Sequence, residues 1–435
     1  MRFGFVCRLV AWLLLGAAPA APAAGVGIQR LGPTGLLTWT NAFTNGVCTI
    51  ESAPRLPGGT NRAVWTPQQS YYTTNSTGSG SARFGVGSNF FRLRAADIST
   101  NTMAGFTNLV QAYGLLHTLA GNGLDGGVDG VNYWQPAFEG GYATNAALSR
   151  PHFALGDTNG NVFVVDKDSH SLLKITPDGR LHTVAGTHQS GNGPDTATVA
   201  TNVALNAPNG GWLRGDGTVY ILDTGNGKVR RLDPTGRLTT LFTDAAGIST
   251  GRGLWVRDDE ALAYYASGSK LRMWTPAKGS KTLNSQFNDL GNLIFSGTNL
   301  VVTDRGNNSV WLVNTNGGVA TLLFGNGSAG PAVDNSLALT NSLYGVRGIW
   351  QPPTGGWFLA THEGAQLLYV DPAGILRVLV TGGGENHAGD GQWFYTAGSK
   401  FGQLRSVTLD PFGNLLIVEN DLGFVRRIDF QRLTP

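Results

Sequence analysis

The sequence predicts an all-β protein, a six-bladed β-propeller preceded by a small β-sandwich-like domain. Three observations predict it. Residues 206–242 hold four short strand-like runs separated by tight turns, and that unit returns along the chain from about 115 onward. The composition, 63 glycines in 435 residues with 14% charged, suits a turn-rich β protein. A disordered chain would carry fewer apolar residues and more net charge.

In the clearest unit the runs are 210–214, 218–223, 228–233 and 237–242. Gly215-Asp216-Gly217, Thr224-Gly225-Asn226-Gly227 and Pro234-Thr235-Gly236 supply the positive and preset φ values that tight turns need. Val219, Ile221, Val229 and Leu232 are β-formers in segments too short for helices. Aligned on the end of the second strand, the repeats stop at Asp166, Asp223, Ala266–Ser267, Asp304, Thr361 and Glu419. Third strands then end at one common offset, at Thr176, Asp233, Asn314, Asp371 and Asp429, with Thr275 one residue early. The following turns read TPDGR, DPTGR, TPAKG, NTNGG and DPAGI.

The last unit, 403–430, has only three runs. The missing outer strand is supplied by 115–120, which matches the fourth strands at 181–185 and 319–323. Closure of this kind hides an edge that would otherwise pair with other chains. Extra length falls between a fourth strand and the next first strand, at 121–149, 186–207, 325–344 and 381–402. Each insertion carries an aspartate, Asp129, Asp195, Asp334 or Asp390.

The phrases HTVAGTHQSGNGPDTATVATNVALNAPNG, NVFVVDKDSHSLLKITPDG and TVYILDTGNGKVRRLDPTG resemble the NHL repeat. The resemblance spans roughly 115–430, is strongest at 150–240, and implies a six-bladed propeller with a central channel. It does not assign a function, because one fold hosts many.

Ahead of the repeats, 1–24 reads as a signal peptide: Arg2 and Arg8 precede the apolar run 9–17, and small-residue sites follow at 18–23. The protein is therefore expected to be secreted or periplasmic. No later apolar run reaches 18 residues, so no transmembrane segment is expected. Taking Arg2 and Arg8 from 31 basic and 28 acidic residues leaves a net charge of +1, which gives no reason to expect nucleic acid. Cys7 leaves with the leader, so Cys48 is the one thiol and no internal disulfide can form. Residues 26–97 carry six alternating runs expected to form a fibronectin-like β-sandwich, with Cys48 a buried, inert thiol. Residues 98–113 read as a linker and 114–435 as the propeller. Helical patterns are absent.

In an up-and-down blade the start of strand one and the end of strand two open onto the same face. His152, Asn209, Arg252, Asn292, Arg347 and Arg405 start the first strands, and Asp166, Asp223, Asp304 and Glu419 end second strands. Because the long insertions emerge there too, this channel mouth is the candidate binding site. Two readings stand for the aspartates: turn caps, or ligand groups. Two stand for the arginines: ring-closing ion pairs, or converging N–H forks suited to a carboxylate, sulfate or phosphate. Trp212, Trp255 and Trp350 share one repeat position and read as packing between blades or as a sugar-stacking platform.

Peptide-amidating lyase relatives of the repeat family hold a metal with channel histidines, whereas here His152 alone takes such a position. A lactonase-type calcium site would draw on Asn209, Asn292 and Glu419. The sequence names no cofactor beyond that calcium. The first functional reading is a scaffold for a protein, carbohydrate or small anionic ligand; the alternative is a metal-assisted lyase or hydrolase on the same face.

Overall fold

A computed structural model describes residues 25–54, 64–84, 90–99, 103–124, 128–383 and 387–430. The expected signal peptide, 1–24, lies outside the described residues. The chain divides into two compact units, one holding 1–115, 352–355 and 429–435, the other 116–351 and 356–428.

The first unit contains two three-stranded antiparallel sheets. Gly27–Leu31, Leu36–Thr40 and Gly78–Ser81 form one; Gly46–Ala53, flanked by Thr66–Thr73 and Phe90–Asp97, forms the other. Leu37 and Trp39 from the first share a core with Cys48, Ile50 and Phe91 from the second. Alternation along each strand sends these side chains inward. The segment expected as a linker departs from that reading: Met103–Ala112 is an α-helix, with Phe106, Leu109 and Val110 buried. Their spacing is that of one helical face.

Burial pushes the Cys48 thiol up to about 12, which removes the reactive thiolate at neutral pH. Native protein should therefore resist a thiol reagent until denaturant is added. Labelling of the folded protein as fast as that of a free cysteine peptide would overturn the core placement.

The second unit is six antiparallel meanders of one design, at 151–185, 208–243, 254–284, 290–324, 346–381 and 404–428. The turn after the third strand shows why the chain reverses there. Gly179, Gly236 and Gly374 sit at φ 81°, 83° and 83°, a backbone that side chains disfavour. Asp233 Oδ1 accepts the N–H groups of Thr235 and Arg237, and Asp371 Oδ1 those of Ala373 and Ile375.

The sixth meander is completed by Leu116–Ala120, which pairs with Phe424–Ile428. A shared irregularity identifies it as a fourth strand. Val184, Leu241, Leu283, Leu323 and Leu379 each drop out of their ladders at one bulge, and Leu119 does so in the closing strand. First strands of successive meanders touch one another in a closed circuit, the sixth returning to the first. The apolar cores lie between neighbouring meanders: Ala154 and Val164 of the first, for example, pack with Leu416 and Val418 of the sixth. Trp212, Trp255 and Trp350 pack against such cores, which favours the packing reading over a sugar platform. Among the described residues no helix is long and apolar enough to cross a membrane.

The insertions do something other than build out the mouth: each runs back over the outer edge of a meander. Thr198–Val199 adds a strand to Arg237–Thr243, and Ser336–Leu337 adds one to Ile375–Thr381. Tyr142 bridges to Arg180 beside the edge strand Leu181–Ala185, and Asp390 bridges to Leu116. Exposed strand edges invite pairing with other chains, and these coverings block four of them.

Candidate functional site

Strand geometry itself turns the predicted first-strand residues out of their sheets. Pairing slips between Pro151 and Phe153, Pro208 and Gly210, Leu290 and Leu293, Val346 and Gly348, and Leu404 and Ser406. His152, Asn209, Asn292, Arg347 and Arg405 fall in those slips. A bulge frees a residue from the ladder and re-aims its side chain. Arg252 lies just ahead of the shorter first strand Leu254–Val256. All six residues are buried, with Arg252 the most accessible at 9%.

Five of the six join one circuit of polar contacts. His152 Nδ1 meets Asn209 Oδ1, and Asn209 Nδ2 donates to the Thr250 carbonyl at 3.2 Å. Arg252 Nη1 stands 3.9 Å from Asp289 Oδ1. Arg305 joins Asp289 at 2.7 Å to Glu363 at 3.0 Å, and Arg347 Nη2 lies 4.0 Å from the same Glu363 oxygen. His362 sits between Glu363, 3.4 Å away, and Asp421, 3.3 Å away. Asp421 Oδ1 in turn faces Arg405 at 3.4 Å and Arg150 at 3.1 Å. Arg150 precedes the first meander, so the circuit touches all six. Asn292 stands outside it, donating to the Ile349 carbonyl and accepting from Leu293 N.

The electrostatics follow from many cations in a dry place. Burial, then Arg405 and Arg252, holds His152 well below the imidazole range, so it is neutral. Burial, then Arg252, pushes Arg405 down to about 9; burial likewise lowers Arg252. Burial opposes the charges on Glu363 and Asp421, yet His362 and the nearby guanidinium groups outweigh it, and Glu363 falls to about 2. Burial would also lower His362, but Asp421 and Glu363 raise it above its ordinary value. Several donors nevertheless lack a hydrogen-bond partner among the described residues. These are Nε and Nη1 of Arg252 and Arg347, and Nε of Arg405 and Arg150.

The acids at the ends of the second strands do a different job. Each accepts a backbone N–H from the loop ahead of its own first strand: Asp166 from Ser149, Asp223 from Asn206, Asp304 from Asn288 and Asp289, Glu419 from Gly402. Ser267 does the same for Ser249 in the third meander. Further bonds come from Ser169, Asn226 and Asn307, each three residues on. These side chains brace the loops, which is the turn-cap reading extended to a second loop. Two of them also hold a fully buried arginine against an insertion: Asp223–Arg230–Asp195 and Glu419–Arg426–Asp390.

The acids that do face the arginines, Asp289, Glu363 and Asp421, escaped the sequence reading, as did Arg150 and Arg305. A signal was present: Asp168, Glu363 and Asp421 all lie two residues past a second-strand end. The predicted calcium donors do not fit a metal. Asn209 and Asn292 spend their side-chain oxygens on His152 and Leu293 N, and Glu419 spends both on Gly402 N and Arg426. A cavity of about 190 Å³ lies at the far ends of the first strands, beside Gly156, Leu213 and Pro411. Its acids are already engaged, Asp157 with its own turn and Asp216 with Arg214.

No protein-family model matches the chain, and no curated protein matches it. Solved structures do. A structural genomics protein of unknown function from Bacteroides thetaiotaomicron VPI-5482 is similar with a TM-score of 0.58 at 14% identity, covering 95% of this chain and 100% of that one. An auxiliary nutrient binding protein from Bacteroides ovatus ATCC 8483 gives 0.55 at 10% identity, covering 90% and 93%. Another from Bacteroides thetaiotaomicron VPI-5482 gives 0.54 at 11%, covering 93% and 96%. At such identities the likeness establishes fold alone, and that fold is a β-propeller.

Proposed function

We propose that the protein is an exported six-bladed propeller of NHL-like repeats that binds a ligand at the ring of first-strand openings. The observation that carries the reading is the set of buried guanidinium N–H groups on Arg252, Arg347 and Arg405 with no protein acceptor among the described residues. A buried charge left unpaired is costly, so such groups are kept where something else meets them. The two similar structures named nutrient binding proteins accord with a binding role. The leader at 1–24 supports export, and the small β-sandwich-like unit serves as spacer or attachment module. The donors foreseen for metal-assisted lyase or hydrolase chemistry, Asn209, Asn292 and Glu419, are committed elsewhere among the described residues.

The test is thermal stabilisation by a panel of millimolar anions, sulfate, nitrate, acetate and a uronic acid among them, against a chloride reference. Wild type should gain melting temperature with at least one anion, and Arg347→Met with Arg405→Met should lose the gain. Charged hydrogen bonds contribute about 1.5–3 kcal/mol each, enough to read. No anion-specific gain in wild type, or a gain the double variant keeps in full, removes the ring as the binding site.

A further inference from the structure

We infer that the ring takes a small doubly charged anion, an oxyanion such as sulfate or a phosphate monoester or a short dicarboxylate, in preference to any singly charged one. The inference rests on the binding reading above and specifies its ligand class.

Charge comes first. The contact circuit holds five guanidinium groups, on Arg150, Arg252, Arg305, Arg347 and Arg405, against three carboxylates, on Asp289, Glu363 and Asp421. Two positive charges are left over. Asp129, 2.8 Å from Arg150, extends the circuit through Lys167 to Asp168, and these three together add one negative charge, leaving an excess of one. His362, pinned between two carboxylates, restores one positive charge when protonated. The excess is then again two. One monoanion would leave a full positive charge buried among arginines that already feel one another: Arg252 and Arg150 both act on Arg405. A dianion cancels it.

Hydrogen bonding points the same way. The donors left over are spread across blades one, three, five and six, on Arg150, Arg252, Arg347 and Arg405. The acids present do not satisfy them, because the Arg252–Asp289 and Arg347–Glu363 contacts, at 3.9 and 4.0 Å, are too long for hydrogen bonds. Donors arriving from several directions suit an acceptor with three or more oxygens, and guanidinium forks match such oxyanions pairwise. Three of these arginines are over nine-tenths buried, so salt screens the attraction only weakly.

The experiment is calorimetric titration of the full-length protein with sulfate and with nitrate, at matched ionic strength and pH 6. Sulfate should bind about tenfold or more tightly than nitrate, the factor that one charge-assisted hydrogen bond supplies. Arg405→Met should weaken sulfate by a similar factor. Glu363→Gln, which removes a competing carboxylate beside Arg305 and Arg347, should tighten it. A role confined to holding the ring together would instead give weaker binding in both variants. Equal affinity for nitrate and sulfate overturns the dianion while leaving the ring as an anion site. Binding of neither anion, with no gain in the stabilisation panel, overturns the binding reading itself. Because the sulfate-to-nitrate ratio is read on wild type, misfolding of a variant does not blunt the test. Malonate and phenyl phosphate then separate the dicarboxylate from the oxyanion source.

Discussion

Replacing Leu116–Ala120 by a Gly-Ser stretch of equal length should abolish the cooperative melt or lower its midpoint drastically. The strand contributes four ladder pairs to Phe424–Ile428, from Ala120 opposite Val425 to Leu116 opposite Ile428. Leu116 and Ala120 are both fully buried. Burying one leucine is worth about 1.5–3 kcal/mol, and each lost hydrogen bond about 0.5–1.5 kcal/mol. Together these take a large part of the roughly 5–15 kcal/mol that keeps a domain folded. The freed strand would also offer an unpaired edge, so oligomers should appear by size exclusion. Replacement rather than deletion matters, because Tyr113, Gly114 and Leu115 belong to the other unit. An unchanged melting temperature would show that the ring does not depend on this strand.

Removing one partner from a buried carboxylate–arginine–carboxylate bridge should be nearly as damaging. Arg426 is fully buried and donates to Glu419 at 2.8 Å and to Asp390 at 2.7 Å. Arg426→Met strands Glu419, itself fully buried, with an uncompensated charge, which costs about 3–5 kcal/mol. Adding Glu419→Gln should recover part of that loss, because the second change removes the orphaned charge. Urea melts of the two singles and the double measure the coupling. A single variant within about 0.5 kcal/mol of wild type, the range of an ordinary surface substitution, would mean the bridge is dispensable.

Much of the fold was legible because turns are chemically explicit. Asp-Pro-x-Gly turns and short β-branched runs repeat at fixed offsets, so the meanders and the strand that closes them could be placed from residues alone. The helix Met103–Ala112 was missed because it is short and its one apolar face, Phe106, Leu109 and Val110, is interrupted by Gly105 and Thr107. The first-strand residues were found by register, but not the bulges that turn them inward, since a bulge leaves no mark in composition. Asp166, Asp223, Asp304 and Glu419 were found the same way, yet their bonds run to the loop ahead of the first strand, far away in sequence. Several partners sit on a neighbouring meander, Asp289 for Arg252, Glu363 for Arg305 and Asp421 for Arg150, and no within-repeat pattern reveals a contact between repeats. The insertions' aspartates were noticed, but the role of Asp195, Asp334 and Asp390 in pinning a cover over an outer edge required knowing where the edge lies.

Closure by Leu116–Ala120 also fixes the order in which the molecule can become whole. A ribosome makes this strand before any of the meanders, while its partner, Phe424–Ile428, emerges after every other strand of the six. Throughout synthesis the early strand has nowhere to dock, and the faces of the first meander that will meet Leu416 and Val418 stay bare. Loop-closure entropy across nearly the whole unit must be met before that final contact gives anything back. A nascent chain cut short anywhere before Ile428 is thus a set of meanders without a ring, exposing apolar sheet faces to every quality-control factor it passes.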